Sequence, residues 1–227
     1  MNKHISIAID GPAGAGKSTM ARRVARDLGF VYVDTGAIYR TVGYHMDMMG
    51  IGPRDQDGVT RLIGDVNIQI TYDEAGLQHM ILNGYDVTGE IRTPEMSAIA
   101  SAISAQKVVR DYLLEMQRDL ARTHDVVMDG RDIGTVVLPH ADVKIFLTAA
   151  PEIRARRRYE ELAAKGERVT YEKVLADLIQ RDEQDAGRKI APLRPARDAV
   201  VLDTSENTIE QAAAAIEHIV KEKLGIR

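Results

Sequence analysis

The chain has 227 residues, no cysteine, and 30 lysine and arginine against 34 aspartate and glutamate, a net charge of -4. That balance argues against binding nucleic acid through bulk positive charge, and the missing cysteines exclude disulfides and thiolate zinc sites. Hydrophobic residues make up 44%, enough for a core, in a length that suits one large domain or one domain with insertions.

Met1 to His4 run straight into a strand-like segment that leaves no room for a signal peptide, and no apolar run is long enough to span a bilayer. A soluble cytoplasmic protein is expected. Ile5 to Ile9 reads as a short apolar strand ending in Asp10-Gly11 and a glycine-rich turn. Lys17 to Leu28 reads as a helix, with Met20, Val24 and Leu28 at i, i+4 and i+8, stopped by Gly29. Phe30 to Val33 is the next strand. Val66 to Thr71 and Leu77 to Leu82, followed by the turn Asn83-Gly84, predict a small antiparallel sheet inserted into the chain. Thr93-Pro94 opens a helix that breaks near Gln106 and runs on to about Arg122. Val126 to Met128, Val143 to Leu147 and Ala199 to Leu202 are further strands. Their continuous apolar runs suit a parallel sheet covered on both faces, so the expected fold is a doubly wound α/β core with five parallel strands. Thr208 and Gln211 form a capping box for a last helix with Ile209, Ala213, Ile216 and Val220 on its apolar face.

Gly11-Pro12-Ala13-Gly14-Ala15-Gly16-Lys17-Ser18 fits the phosphate-binding pattern G-x-x-x-x-G-K-[ST], placed between a strand and a helix as that pattern requires. Glycines let successive N–H groups wrap phosphate oxygens, and the helix N-terminus adds its positive end. Lys17 is expected to reach the β and γ phosphates and Ser18 to hold magnesium, with Asp129, at the end of an apolar strand, as a second candidate ligand. Thr19 completes the expected ATP-binding set. No Asn-Lys-x-Asp segment for guanine is present, and the length leaves little room for a motor, so a small kinase is the simplest class.

Charged residues then gather where strands end. Asp34 to Arg40 and Asp129-Gly130-Arg131-Asp132 each follow a strand, at the ligand-binding edge of such a sheet. Read alone, Asp34 could equally cap a helix and Arg40 be solvated. A helix capped by Thr170 carries an apolar stripe of Tyr171, Val174, Leu175 and Leu178 that turns charged at Arg181, Asp182 and Asp185, with Arg188 on its flank. Those charges could pair with one another or hold a phosphate and sugar. In the preceding helix Ala155, Tyr159, Leu162 and Ala163 form an apolar face opposite Arg154, Arg157 and Arg158, which suits a lid over transferring phosphates, jointed at Lys165-Gly166-Glu167.

Together these segments, with Gly89 to Thr93, Ile133 to Val137, Lys144 to Leu147 and Ala191-Pro192-Leu193, closely resemble the bacterial cytidylate kinase family over nearly the whole chain. Position 35 is Thr where some members have Ser; both offer a hydroxyl. The resemblance implies a single P-loop kinase unit: a core of residues 1–40, 123–150 and 190–227, a monophosphate-binding insert of about 41–122, and a helical lid of about 151–189. It implies ATP-dependent phosphorylation of CMP and dCMP by direct in-line transfer, with Mg2+. From charge and hydropathy no nucleic-acid or membrane partner is expected, and a monomer is the expected state. By position, Arg40, Arg131, Arg181 and Arg188 would hold the acceptor phosphate and neutralise charge during transfer, and Thr35 would help place the acceptor. Ser101, Arg110 and Asp132 would read the pyrimidine edge and Asp185 would hold the sugar. Lys17, Arg131, Arg181 and Arg188 form the implied catalytic set, and Arg157 and Arg158 join the ATP site. A carboxylate suits the N4 amine of cytosine, whereas UMP offers an acceptor there. The alternatives are a small kinase for another acceptor, with Asp34 or Asp132 as base if that acceptor is a hydroxyl, or an ATP-gated binding module.

Overall fold

The computed structural model describes residues 4–226. Met1 to Lys3, most of the lead-in read before the first strand, and Arg227 lie outside the described residues. Fully buried β1 (Ser6–Asp10) feeds the loop 11–16 and α1 (Lys17–Leu28). Met20, Ala21, Val24 and Ala25 make the buried stripe of α1, each large side chain stabilising the fold by about 1.5–3 kcal/mol. Gly29 ends the helix in the left-handed region at φ 69, where glycine carries no Cβ penalty, and its N–H returns to the Ala25 and Arg26 carbonyls. β2 (Val31–Asp34) and α2 (Thr35–Met48) follow, then α3 (Gln56–Leu62).

β3 (Ile68–Tyr72), β4 (Gln78–Leu82) and β5 (Tyr85–Asp86) form the antiparallel sheet. Asn83 at φ 49 and Gly84 at φ 89 supply the two positive angles that a tight hairpin turn needs. This sheet covers an exposed edge of the main one. Gln78 accepts the Asp34 N–H at 2.7 Å and donates to the Asp34 carbonyl at 3.2 Å, while the Tyr72 hydroxyl donates to the Tyr32 carbonyl at 3.0 Å. β2 therefore offers no free row of amides there to a stray strand.

α4 (Pro94–Ile103) is capped by Thr93, and α5 (Lys107–Thr123) starts after the break at Gln106. β6 (Val126–Gly130) leads into a single π turn at Ile133–Val137. β7 (Val143–Thr148), α6 (Pro151–Ala164), α7 (Tyr171–Ala186), β8 (Val200–Asp203) and α8 (Ile209–Leu224) complete the chain. The five core strands are parallel in the order β2-β6-β1-β7-β8. Alternation along β1 sorts its side chains: Ile7 and Ile9 meet α1 and α8, and Ala8 joins the core under α2 and α5. All strand tips at one edge, Asp10, Asp34, Gly130 and Thr148, face the phosphate loop side.

Several sequence expectations need correction. β8 is not a continuous buried run; as the sheet edge it alternates, with Val201 at 56% exposure. Ile209 is 60% exposed at the first turn of α8, and Ala212 takes its place in the core beside Ala213, Ile216 and Val220. Ala163 is exposed near the end of α6. Arg154 does not join Arg157 and Arg158 on an open face. It is buried against α7, where it pairs with Asp182 at 2.6 Å and donates to the Ala13 and Ala149 carbonyls. Asp182 is thereby taken up inside the helix pair.

Candidate active site

The phosphate loop is built on backbone. Gly11, Gly14 and Gly16 all have positive φ. Gly11 is forced: a Cβ there would lie 1.9 Å from the Leu147 carbonyl oxygen. Ala13 to Thr19 line a cleft of about 1030 Å³, whereas Gly11 and Pro12 lie beneath it. Lys17 is 6% exposed, and its ammonium donates to the Pro12 carbonyl at 2.7 Å. Burial, then the Arg131 charge, pushes the Lys17 pKa down, with Asp129 and Asp10 pulling the other way.

The Ser18 hydroxyl donates to Asp129 Oδ2 at 2.9 Å, and the Tyr32 hydroxyl donates to Oδ1 at 2.8 Å. Burial and the neighbouring Asp34 push Asp129 up. Tyr32 was not singled out in the sequence; its position one strand away from Asp129 is visible only once β2 and β6 pair. A hydroxyl and one carboxylate at the mouth of a phosphate loop are hard oxygen donors and fit Mg2+, which takes few protein ligands and keeps waters and phosphate oxygens. Among the described residues no cluster of three or more acidic or histidine side chains could hold a metal by itself.

The opposite wall carries the arginines. Asp185, whose side chain is 1% exposed, accepts from Arg131 Nε at 2.9 Å, from Arg188 and from the Ser101 hydroxyl at 3.1 Å, with Arg181 Nε at 4.0 Å. Burial raises the Asp185 carboxyl, but Arg131, Arg188 and Arg181 together outweigh it and hold it below its ordinary range. Arg181 is pushed down to about 10 by burial and then by Arg131. Arg40 donates to Asp34 at 2.9 Å, and Asp34 also caps α2 through the Ala37 N–H, so the capping role considered for Asp34 is realised while Arg40 is paired rather than solvated. Arg40 Nε and Arg181 Nε are buried without a hydrogen-bond acceptor among the described residues. The wall thus holds more cation than its carboxylates neutralise, which calls for an anion.

Ser101, Arg110 and Asp132 lie together on this wall. Arg110 pairs with Asp132, donates to the Ser104 carbonyl at 3.0 Å and lies 5.6 Å from the centre of the Tyr39 ring. Thr35 lines the cleft, with its hydroxyl donating to the Asp129 carbonyl at 2.8 Å. Arg157 and Arg158 line it from α6; Arg157 donates to the Thr204 carbonyl at 2.7 Å and Arg158 pairs with Glu161.

A family model described as cytidylate kinase matches residues 7–222. The chain belongs to the cytidylate kinase family. It is 49% identical over 217 residues to the cytidylate kinase of Geobacter sulfurreducens, covering 96% of this chain and 93% of that one. It is also 49% identical to the Carboxydothermus hydrogenoformans cytidylate kinase, covering 96% and 97%. A solved structure, an uncharacterized protein from Eubacterium ventriosum, shares the fold at TM-score 0.54 and 12% identity, covering 98% of this chain and 99% of that one.

One wall of this cytidylate kinase-family cleft was missed in the sequence. Thr204, Asn207, Thr208 and Ile209 line it beside Arg157. The signal was available in part: Ile209 sits on the apolar stripe of α8 but one turn too early to reach the sheet.

Proposed function

We propose that the chain transfers the terminal phosphoryl group of magnesium-ATP directly, in line, to CMP and dCMP, giving CDP and dCDP. The observation that carries this reading is one cleft in which Lys17 of the phosphate loop feels the Arg131 and Arg181 charges of the opposite wall. Donor and acceptor phosphates brought there meet in a common positive field. The acceptor oxygen belongs to a phosphate already ionised near neutral pH, so no strong base is needed.

In this reading, backbone from Ala13 to Gly16 and the α1 N-terminus hold the donor phosphates, and Lys17 follows the transferring group. Ser18 and Asp129 hold magnesium, which neutralises charge on the donor phosphates. Arg40, Arg131, Arg181 and Arg188 orient the acceptor phosphate, and Arg157 with the Thr204–Ile209 wall takes the donor nucleoside. Asp185 and Ser101 exchange their mutual hydrogen bond for the sugar. Asp132, Arg110 and Ser101 face the cytosine edge. The insert at 41–122 and the lid at 151–189 close around the core. The lid is a helix pair whose small core (Ala155, Leu162, Val174, Leu178) includes Ala13 of the phosphate loop, so its movement is felt by the donor site. The same reading places a monomer in the cytoplasm, acting on small nucleotides and not on nucleic acid. It draws on a net charge of -4 with a group of arginines lining the cleft, and no described helix is long and apolar enough to cross a membrane.

The test is ADP release from magnesium-ATP with CMP, dCMP, UMP, AMP, GMP and dTMP offered singly. Turnover confined to CMP and dCMP is the expected result. Turnover with another acceptor would remove the base-reading assignment, and ADP release indifferent to acceptor would remove the kinase reading itself.

A further inference from the structure

Asp10 is the last residue of β1 and stands directly before the phosphate loop, yet it does not line the cleft. It is 4% exposed, and backbone occupies both of its carboxylate oxygens. Oδ1 accepts the Ile133 N–H at 2.8 Å and Oδ2 accepts the Gly134 N–H at 2.7 Å. These are the opening N–H groups of the π turn that begins after Asp132. The first N–H groups of any helical turn lack partners within it, and a buried donor without an acceptor is costly. The far side of the same turn closes on the Asp132 carbonyl, which accepts the Val136 and Val137 N–H groups at 2.9 and 3.2 Å. The peptide joining Asp132 to Ile133 is therefore held at its carbonyl by the turn and at its N–H by Asp10. Packing adds to this: a Cβ on Gly134 would lie 3.2 Å from Lys144 Cδ and 3.4 Å from Asp10 Oδ2.

A carboxylate rejects UMP only if it cannot turn away from the pyrimidine carbonyl it meets. Discrimination by polar mismatch needs a site whose backbone does not adapt. We propose that Asp10 is a positioning residue for acceptor choice, clamping the turn that carries Asp132 so that cytosine is preferred over uracil. The inference rests on the reading of Asp132 as the ring-facing carboxylate.

Asp10→Asn tests it, because an amide keeps one acceptor oxygen and turns its NH2 toward a backbone donor. Steady-state kinetics with CMP and with UMP are compared for wild type, Asp10→Asn and Asp132→Asn at about pH 8, above the value of about 7 to which burial raises the Asp10 carboxyl. The expected result is an about tenfold fall in the CMP-to-UMP ratio of kcat/KM for Asp10→Asn, through loss with CMP, and an unchanged KM for ATP. Asp132→Asn should lower the same ratio at least as far. If Asp132→Asn lowers the ratio and Asp10→Asn leaves it alone, or slows both acceptors equally, Asp10 is only structural and the inference is overturned. If Asp132→Asn leaves the ratio unchanged, the reading of Asp132 is wrong and the role of Asp10 falls with it. Should Asp10→Asn not fold, Gly134→Ala presses on the same clamp from the turn side. A smaller fall in the ratio then supports the inference, and an unchanged ratio overturns it.

Discussion

On the donor side of the cleft, as proposed, phosphate would be met by backbone: a glycine-bent loop of six residues and the first turn of α1. On the proposed acceptor side it would be met by side chains from separate elements: Arg40 of α2, Arg131 after β6, Arg181 of α7 and Arg188 beyond it. The backbone site is ready when empty, since N–H dipoles at a helix end do not repel one another enough to need a counter-charge. The side-chain site is not. Four guanidinium groups facing one space need carboxylates among them: Asp185 serves Arg131, Arg181 and Arg188, and Asp34 serves Arg40. A contiguous backbone site should therefore fail through shape, and a dispersed side-chain site through charge.

The largest break should come from Gly11→Ala. Its Cβ would overlap the Leu147 carbonyl at 1.9 Å in a φ of 148, so the fold should lose more than about 3 kcal/mol in urea unfolding and all turnover. Wild-type stability in that variant would remove the shape argument. Lys17→Ala should leave the fold intact and lower kcat by about 10²–10³, equally for CMP and dCMP. An effect on one acceptor alone would mean that Lys17 serves the acceptor and not the donor.

Asp185→Asn sharpens the charge side. Removing one partner from a buried ion cluster should cost about 3 kcal/mol, and sulfate should restore more stability to this variant than to wild type. Equal sulfate effects would show that the arginines do not need Asp185 as a counter-charge.

The smallest effect concerns pH. Burial, with a lesser push from Asp132, outweighs the two N–H donors and Lys17 and raises Asp10 from 3.8 to about 7. Between those values the folded chain keeps a proton that the unfolded chain has released. This group therefore favours folding most at acid pH, and that contribution is lost as pH rises through about 7. The unfolding free energy of wild type minus Asp10→Asn should decline from about pH 5 to about pH 8. A flat or rising difference would contradict it.

What was legible in the sequence divides along the same line. The phosphate loop, the Gly29 stop, the Thr93-Pro94 start and the Thr208–Gln211 box depend on residues a few positions apart, and local chemistry determines them. The inserted sheet was legible in its two β-rich segments and in Asn83-Gly84, which specifies the turn from β4 to β5. Arg154 was misread because its burial depends on how α6 and α7 pack, which the periodicity of one helix does not contain. The edge character of β8 follows from strand order, and strand order is not written in any strand. The Asp10 clamp joins residues more than 120 positions apart, with no local pattern to announce it.

The strand order also has a consequence for how the chain comes to be folded. Neither β1 nor β2 pairs with the other; both pair with β6, which begins at Val126. During synthesis the first two strands must wait, unpaired along their shared side, until more than half of the polypeptide has emerged. Loop closure over that distance is slow, and apolar strands left open invite association with other nascent chains. The phosphate loop, earliest of the site to be made, would thus be among the later parts to acquire its working shape.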